Sequence, residues 1–248
     1  MIAMVTGASS GFGEAISRQL VNAGYRVIGT GRRAERLAAL GDELGDSFLP
    51  LVFDVQDKTA TQAVIAGLPA AWQEVDLLVN NAGLALGLEP AHKADLEDWE
   101  QMIATNISGL TLLTRLLLPG MVARNRGHVI NIGSIAGTYP YPGGNVYGAT
   151  KAFVKQFSLN LRADLAGTAI RVTNVEPGLC GGTEFSNVRF HGDDAKAATV
   201  YQGVQAIQPE HIANTVLWVS QQPAHVNINS IEIMPVAQTF GPLQISRR

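Results

Sequence analysis

Seven short runs of strand type alternate with helical segments along this chain, and several of the runs are apolar nearly throughout. The runs are 2–5, 25–30, 48–53, 76–80, 128–132, 170–175 and 230–234, with helical segments at about 12–23, 32–44, 57–68, 98–125, 145–166 and 209–221. A strand without alternating polar positions has to be covered on both faces. With the alternation of strand and helix, this predicts an α/β fold: a doubly wound parallel sheet of about seven strands with helices on both faces. A length of 248 residues suits one domain over 1–248, and no repeat, low-complexity tract or linker divides it. The segments 98–125 and 145–166 carry more apolar side chains than one sheet face covers, among them Leu110, Leu113, Leu117, Phe153, Phe157 and Leu161. A helix-on-helix contact between subunits would cover the remainder, so an oligomer is expected. Trp99 and Trp218 fall in helical segments and are expected to be core anchors.

The first strand runs directly into TGASSGFG and then into a helix. Glycines there let the backbone turn tightly and let a pyrophosphate approach the free N–H groups of the helix start. The spacing is not GxGxxG, but the turn between first strand and first helix of an alternating chain is where dinucleotides bind. Gly7, Ala8, Ser9, Ser10, Gly11, Phe12 and Gly13 are therefore candidate cofactor residues. About 20 residues further on, an acid would bond a ribose 2′-hydroxyl, whereas an arginine accommodates a 2′-phosphate. Here the second strand ends in Thr30-Gly31-Arg32-Arg33, and the nearest acid, Glu35, already lies in the next helical segment. Cations at a helix start oppose the helix dipole. Arg32 and Arg33 thus favour an anionic partner, and NADP over NAD. Asp54 and Val55 follow the third strand, where a carboxylate and a backbone N–H can meet an adenine edge. Asn81, Ala82 and Gly83 close the fourth strand at the same carboxyl end of the sheet.

Tyr147 and Lys151 stand four residues apart in YGATK, behind Ser134 and, further upstream, Asn106. Helical spacing puts the pair on one face, with Cβ atoms roughly 5–6 Å apart. A lysine cation about 6 Å from a phenolate, at an effective dielectric of about 20, stabilises it by roughly 3 kcal/mol. That predicts a tyrosine pKa about two units below its ordinary value of ~10. Such a set takes a proton from an alcohol, or returns one to a carbonyl, without metal or cysteine.

The whole-chain properties narrow the partners. A net charge of −3 and a pI near 5.9 give no electrostatic reason for nucleic acid or an anionic membrane. The single cysteine, Cys180, rules out an intrachain disulfide and fits a reducing compartment. The first strand starts too early for a signal segment, and the apolar stretches fall short of a membrane span, so the cytoplasm is expected. His92, His128, His191, His211 and His225 show no ligand spacing, so no metal is expected.

The motifs TGASSGFG, NNAG, Ser134, YGATK and EPG stand in the order and spacing of the short-chain dehydrogenase/reductase family, which the chain resembles over essentially its whole length. The resemblance implies a Rossmann-type domain. It makes Tyr147 the acid/base, Ser134 a ligand of the reacting oxygen, Lys151 a ligand of the nicotinamide ribose that lowers the tyrosine pKa, and Asn106 part of a proton relay. Within the family, NNAGLALGLEPAHKA, EPGLCGGTEFSNVRF and PAHVNINSIEIMPV resemble bacterial NADP-dependent members acting on the 3-hydroxyl of small acids. Serine, allo-threonine and 3-hydroxypropionate are the implied alcohols, malonic semialdehyde an implied substrate for reduction, and a homotetramer the implied assembly.

After Glu176-Pro177-Gly178, the segment at about 179–205 suits a substrate lid. Pro177, Gly178, Leu179 and Thr183 are placed to meet the carboxamide end of the cofactor. Arg189 is the candidate partner for a substrate carboxylate, and Glu176 a weaker one for a substrate amino group. Two rival readings stand beside this one: a reductase of carrier-bound 3-oxo chains, docking through Arg124 and Arg126, and a non-catalytic NADP sensor.

Overall fold

The first apolar run, Ile2–Thr6 (β1), is an interior strand, third from one edge of a seven-stranded sheet. Its neighbours are Arg26–Gly31 (β2) on one side and Val75–Asn80 (β4) on the other. Phe48–Val52 (β3) extends the β2 edge, while Gly127–Ile132 (β5), Ile170–Pro177 (β6) and Ser230–Ile233 (β7) extend the other. All pairs are parallel, in the order β3-β2-β1-β4-β5-β6-β7. The computed structural model describes residues 1–241, and 242–248 of the expected domain lie outside the described residues.

The interior strands β1, β2, β4, β5 and β6 are buried on both faces, as their apolar runs require, whereas the edge strands β3 and β7 are partly exposed. Along β1, Ala3 and Val5 turn to one layer and Met4 to the other. The first layer is covered by Gly11–Asn22 (α1), Ala34–Leu44 (α2) and the later Pro209–Ser220, through Ile16, Leu20, Leu37, Ile212 and Val216. The second is covered by Lys58–Ala66 (α3), Leu110–Ala123 and Asn145–Asp164, through Leu113, Leu117, Met121 and Leu161. The chain steps outward from β1 in one direction and from β4 in the other, so the strand order reverses between them. A crevice opens there at the carboxyl ends of the strands.

The long helix expected over 98–125 is interrupted. Leu96–Ile103 (α4) passes into a π-helical stretch, Ala104–Gly109, before Leu110–Ala123 (α5). Two contacts accompany the wider turn. Asn106 is buried and bonded to the backbone of Leu84, and Gly109 lies so close to Val55 that a β-carbon would stand 2.9 Å from its carbonyl oxygen. The continuous run Leu96–Ala123 is long and apolar enough by length and composition to cross a membrane, contrary to the expectation from the apolar stretches. In the fold, Met102, Leu113, Leu117 and Met121 of this run are packed inside.

Asn145–Asp164 (α6) follows β5 and carries the YGATK motif. Between β6 and Pro209–Ser220 come two short helices, Phe185–Arg189 (α7) and Asp194–Thr199 (α8), in the segment where a lid is expected. Pro209–Ser220 is α9. Trp99 is partly buried against Met102 and Tyr147, but Trp218 is 50% exposed on α9 and is not a core anchor. Helical periodicity located the residue without showing which face it takes.

Candidate active site

The crevice holds a cavity of about 1200 Å³ running from the glycine turn to the lid. At one end Gly7 takes a φ of +68°, and a β-carbon at Gly13 would run into the Gly7 carbonyl. Only glycine lets this turn and α1 close up. Gly7, Ser9, Ser10, Gly11 and Phe12 line the cavity, whereas Ala8 and Gly13 lie behind its wall. Ala8 is fully buried, and its N–H donates to Thr30 O at 2.8 Å. The Asn81 turn is tied to β1: Asn81 and Ala82 N–H groups donate to Thr6 Oγ1 at 2.9 and 2.8 Å. Asn81, Ala82 and Gly83 line the cavity.

Arg32 and Arg33 face this end. Arg33 precedes α2 and donates to Ser10 Oγ at 2.6 Å and Ser9 Oγ at 3.3 Å. Arg32 stands 3.7 Å from Asp54, and Asp54 and Val55 also line the wall. A turn with exposed N–H groups, two serine hydroxyls and two guanidinium groups suits a dinucleotide with an extra phosphate.

Tyr147 enters from the first turn of α6 and Lys151 from the next, and both are buried. Lys151 Nζ donates to Ile132 O at the end of β5, at 2.8 Å, and stands 5.9 Å from the Tyr147 ring centre. Ser134 stands beside Tyr147 on the cavity wall and precedes a 3-10 turn, Ile135–Gly137, whose Ala136 N–H donates to Ser134 Oγ at 3.1 Å. Gly137 presses that turn on α6, since a β-carbon there would meet the Lys151 carbonyl carbon at 2.7 Å. Asn106 stands behind the wall, and its amide nitrogen donates to Leu84 O at 2.9 Å and Thr150 Oγ1 at 3.0 Å.

Burial pushes the Tyr147 phenol up to about 12, against the lowering effects of the neighbouring Ser134 hydroxyl and Arg189 cation. The two-unit lowering expected from Lys151 is not present in the chain alone: desolvation dominates, and the cation that lowers the phenol is Arg189. Burial likewise brings Lys151 down to about 8. Cys180 is pushed up to about 12 by burial and packs beside the core.

The segment after β6 borders the other end. Pro177, Gly178, Leu179 and Thr183 line the cavity. Arg189, at the end of α7, donates to Tyr141 Oη at 2.7 Å and Gly87 O at 3.3 Å, with its guanidinium carbon 5.5 Å from the Tyr147 ring centre. A cation therefore does stand near the Tyr147 ring. Glu176 does not face a substrate: it is buried and bonded to Asn174, Ser230 and Lys155. Its position at the end of β6 misled, because the side chain turns toward β7.

Several residues of the site escaped the sequence reading. Phe185 packs edge-on to Tyr147 at 5.8 Å, and Tyr141 holds Arg189. Gln238 accepts from Leu179 N–H at 2.7 Å, bringing the segment after β7 onto the cavity. The glycine in SIAG was a local signal for Gly137; nothing local pointed to Gln238.

Comparison with known proteins agrees with this geometry. A family described as short chain dehydrogenase matches residues 1–194. A probable NADP-dependent dehydrogenase of Haemophilus influenzae is 70% identical over 99% of this chain and 97% of its own length. The NADP-dependent 3-hydroxy acid dehydrogenase YdfG of Escherichia coli K12 is 61% identical over the full length of both. Among solved structures, the closed form of serine dehydrogenase complexed with NADP+ superposes with a TM-score of 0.99 and 61% identity, each chain covered completely. With its parallel sheet, glycine turn and Ser134–Tyr147–Lys151 cluster, the chain belongs to the short-chain dehydrogenase family.

Proposed function

We propose that the chain is an NADP-dependent oxidoreductase moving hydride between NADP and the 3-hydroxyl carbon of small 3-hydroxy acids. The observation that carries this reading is Arg189, a cation held 5.5 Å from the ring of the buried Tyr147. A carboxylate on Arg189 leaves a nearby hydroxyl within reach of Tyr147 and Ser134. Ser134 holds the reacting oxygen and Tyr147 removes its proton; in reduction Tyr147 gives the proton back. Lys151 fixes the local charge, and Asn106 continues the relay behind Gly83. Bound NADP+ supplies the hydride acceptor, held by the glycine turn, Arg32, Arg33 and the Asn81 turn.

Serine, L-allo-threonine and 3-hydroxypropionate are the candidate alcohols, and malonic semialdehyde a candidate for reduction. Among the described residues lining the cavity, the carboxylates are Asp54 and Glu184, each beside an arginine at the nucleotide end. A substrate ammonium thus meets no carboxylate near Tyr147, which favours 3-hydroxypropionate over serine. Arg124 and Arg126, the cations a carrier protein would dock on, are engaged by Val75 O and by Asp76 at 2.9 and 2.7 Å. A cytoplasmic homotetramer belongs to the same reading. Ile103, Phe153 and Leu159 leave apolar surface on α4 and α6 for a second copy.

Initial rates of NADP+ reduction at alkaline pH test it, with serine, allo-threonine, threonine, 3-hydroxypropionate and 2-hydroxy acids, and again with NAD+. Activity with the 3-hydroxy acids and NADP+ is expected. Turnover of 2-hydroxy acids only, or a preference for NAD+, would sink the proposal.

A further inference from the structure

A lid carboxylate outside the proposed proton-transfer chemistry joins the lid to the nucleotide end. Glu184, the residue before α7, accepts a hydrogen bond from Arg33 at 2.7 Å and lies 2.9 Å from Arg36 on α2. The remaining Arg33 nitrogens turn the other way, to Ser9 and Ser10. One guanidinium therefore bridges the glycine turn and the lid. The neighbouring Thr183 packs on the same turn, its methyl 3.2 Å from where a β-carbon of Gly11 would stand. Arg36 does not line the cavity and reaches it through Glu184, which does.

We infer that Glu184 and Arg36 are positioning residues that clasp the lid to Arg33, so that a 2′-phosphate holding Arg33 also favours the closed lid. The inference rests on the assignment of Arg33 to the 2′-phosphate. An exposed ion pair is weak mainly because two long side chains must be ordered to form it. An Arg33 already ordered by a phosphate has less freedom left to lose, so its bond to Glu184 forms more readily. Arg36 supplies the second cation that offsets repulsion between the Glu184 carboxylate and that phosphate. The preference for NADP over NAD then acts partly through the lid as well as through direct contact.

Hydrogen exchange in residues 183–190, with dissociation constants for NADP+ and NAD+, tests this on the full chain, Glu184→Gln, Arg36→Gln and the double variant. Saturating NADP+ is expected to slow exchange in the wild-type lid more than saturating NAD+ does. Each single variant should erase that difference and weaken NADP+ about two- to fivefold, with the double variant no weaker than either single. Tighter NADP+ binding by Glu184→Gln would show a carboxylate that merely repels the phosphate and would overturn the clasp. Equal lid protection by the two cofactors in the wild type, or additive losses, would also overturn it. Arg33→Ala separates the two levels. If it keeps the NADP preference, the 2′-phosphate assignment falls and the clasp with it. If it loses the preference while Glu184→Gln keeps wild-type lid protection, the clasp alone falls.

Discussion

Two arginines face the cavity from opposite ends, and they are held in different ways. Arg33 leaves the end of β2 and is anchored on the serines of the glycine turn, part of the sheet framework. Arg189 sits on a five-residue helix and is steadied by a tyrosine hydroxyl and one carbonyl from other segments. A nucleotide end built on strand termini is rigid and generic to the fold. A substrate end built on a short helix is where one member of such a family can differ from another. The contrast implies that cofactor choice and acid choice can be changed largely separately, the Arg33–Glu184 contact coupling them by no more than about fivefold.

The largest effect concerns the chemistry both ends serve. Tyr147→Phe should cost at least about 10³-fold in turnover, within the usual range for a positioned acid/base, while NADPH binding measured by fluorescence stays near wild type. Substantial turnover would remove Tyr147 from the proton transfer. Arg33→Ala should shift the ratio of kcat/KM for NADP+ over NAD+ by about 10²-fold, the scale of lost charge-assisted hydrogen bonds. Arg189→Ala should raise KM for 3-hydroxypropionate about 10- to 100-fold and leave neutral secondary alcohols nearly unchanged. Equal losses for acids and neutral alcohols would make Arg189 a lid-packing residue.

Smaller effects sharpen the middle of the site. Burial holds the Tyr147 phenol up to about 12, so it is protonated at neutral pH and poised as an acid. Oxidation needs the phenolate, and its rate should rise about tenfold per pH unit below the working pKa, while reduction should fall as pH passes that value. Lys151→Met should move the oxidation profile to higher pH; an unmoved profile would show that the cation does not tune the phenol. Gly137→Ala forces a β-carbon onto α6 and should destabilise by about 1–3 kcal/mol, read as a lower Tm. The same shift of Ser134 should lower kcat more than NADP+ affinity.

The framework was legible because each of its signals is local. Apolar strands marked a sheet covered on both faces, and Gly7 and Gly13 marked a turn whose backbone must pass close to itself. The run 98–125 read as one helix because helical periodicity carries no sign of a π stretch, which depends on Asn106 reaching Leu84 and Gly109 meeting Val55. The expected low tyrosine pKa considered one pair of charges and left out desolvation, which only the packing of Tyr147 reveals. Phe185 and Tyr141 come from separate segments, and Gln238 arrives from beyond β7. Their meeting at the cavity is a tertiary fact with no local trace, which is why the substrate end was read least well.

The most direct test crosses the two arginines, measuring kcat/KM for NADP+, NAD+, 3-hydroxypropionate and a neutral alcohol in Arg33→Ala, Arg189→Ala and the wild type. Separate sites predict that Arg33→Ala changes the cofactor ratio by about 10²-fold and Arg189→Ala the acid-to-alcohol ratio by about 10-fold or more, each leaving the other ratio within about fivefold. Loss of both ratios in both variants would contradict the division of the cavity into a phosphate-reading end and a carboxylate-reading end.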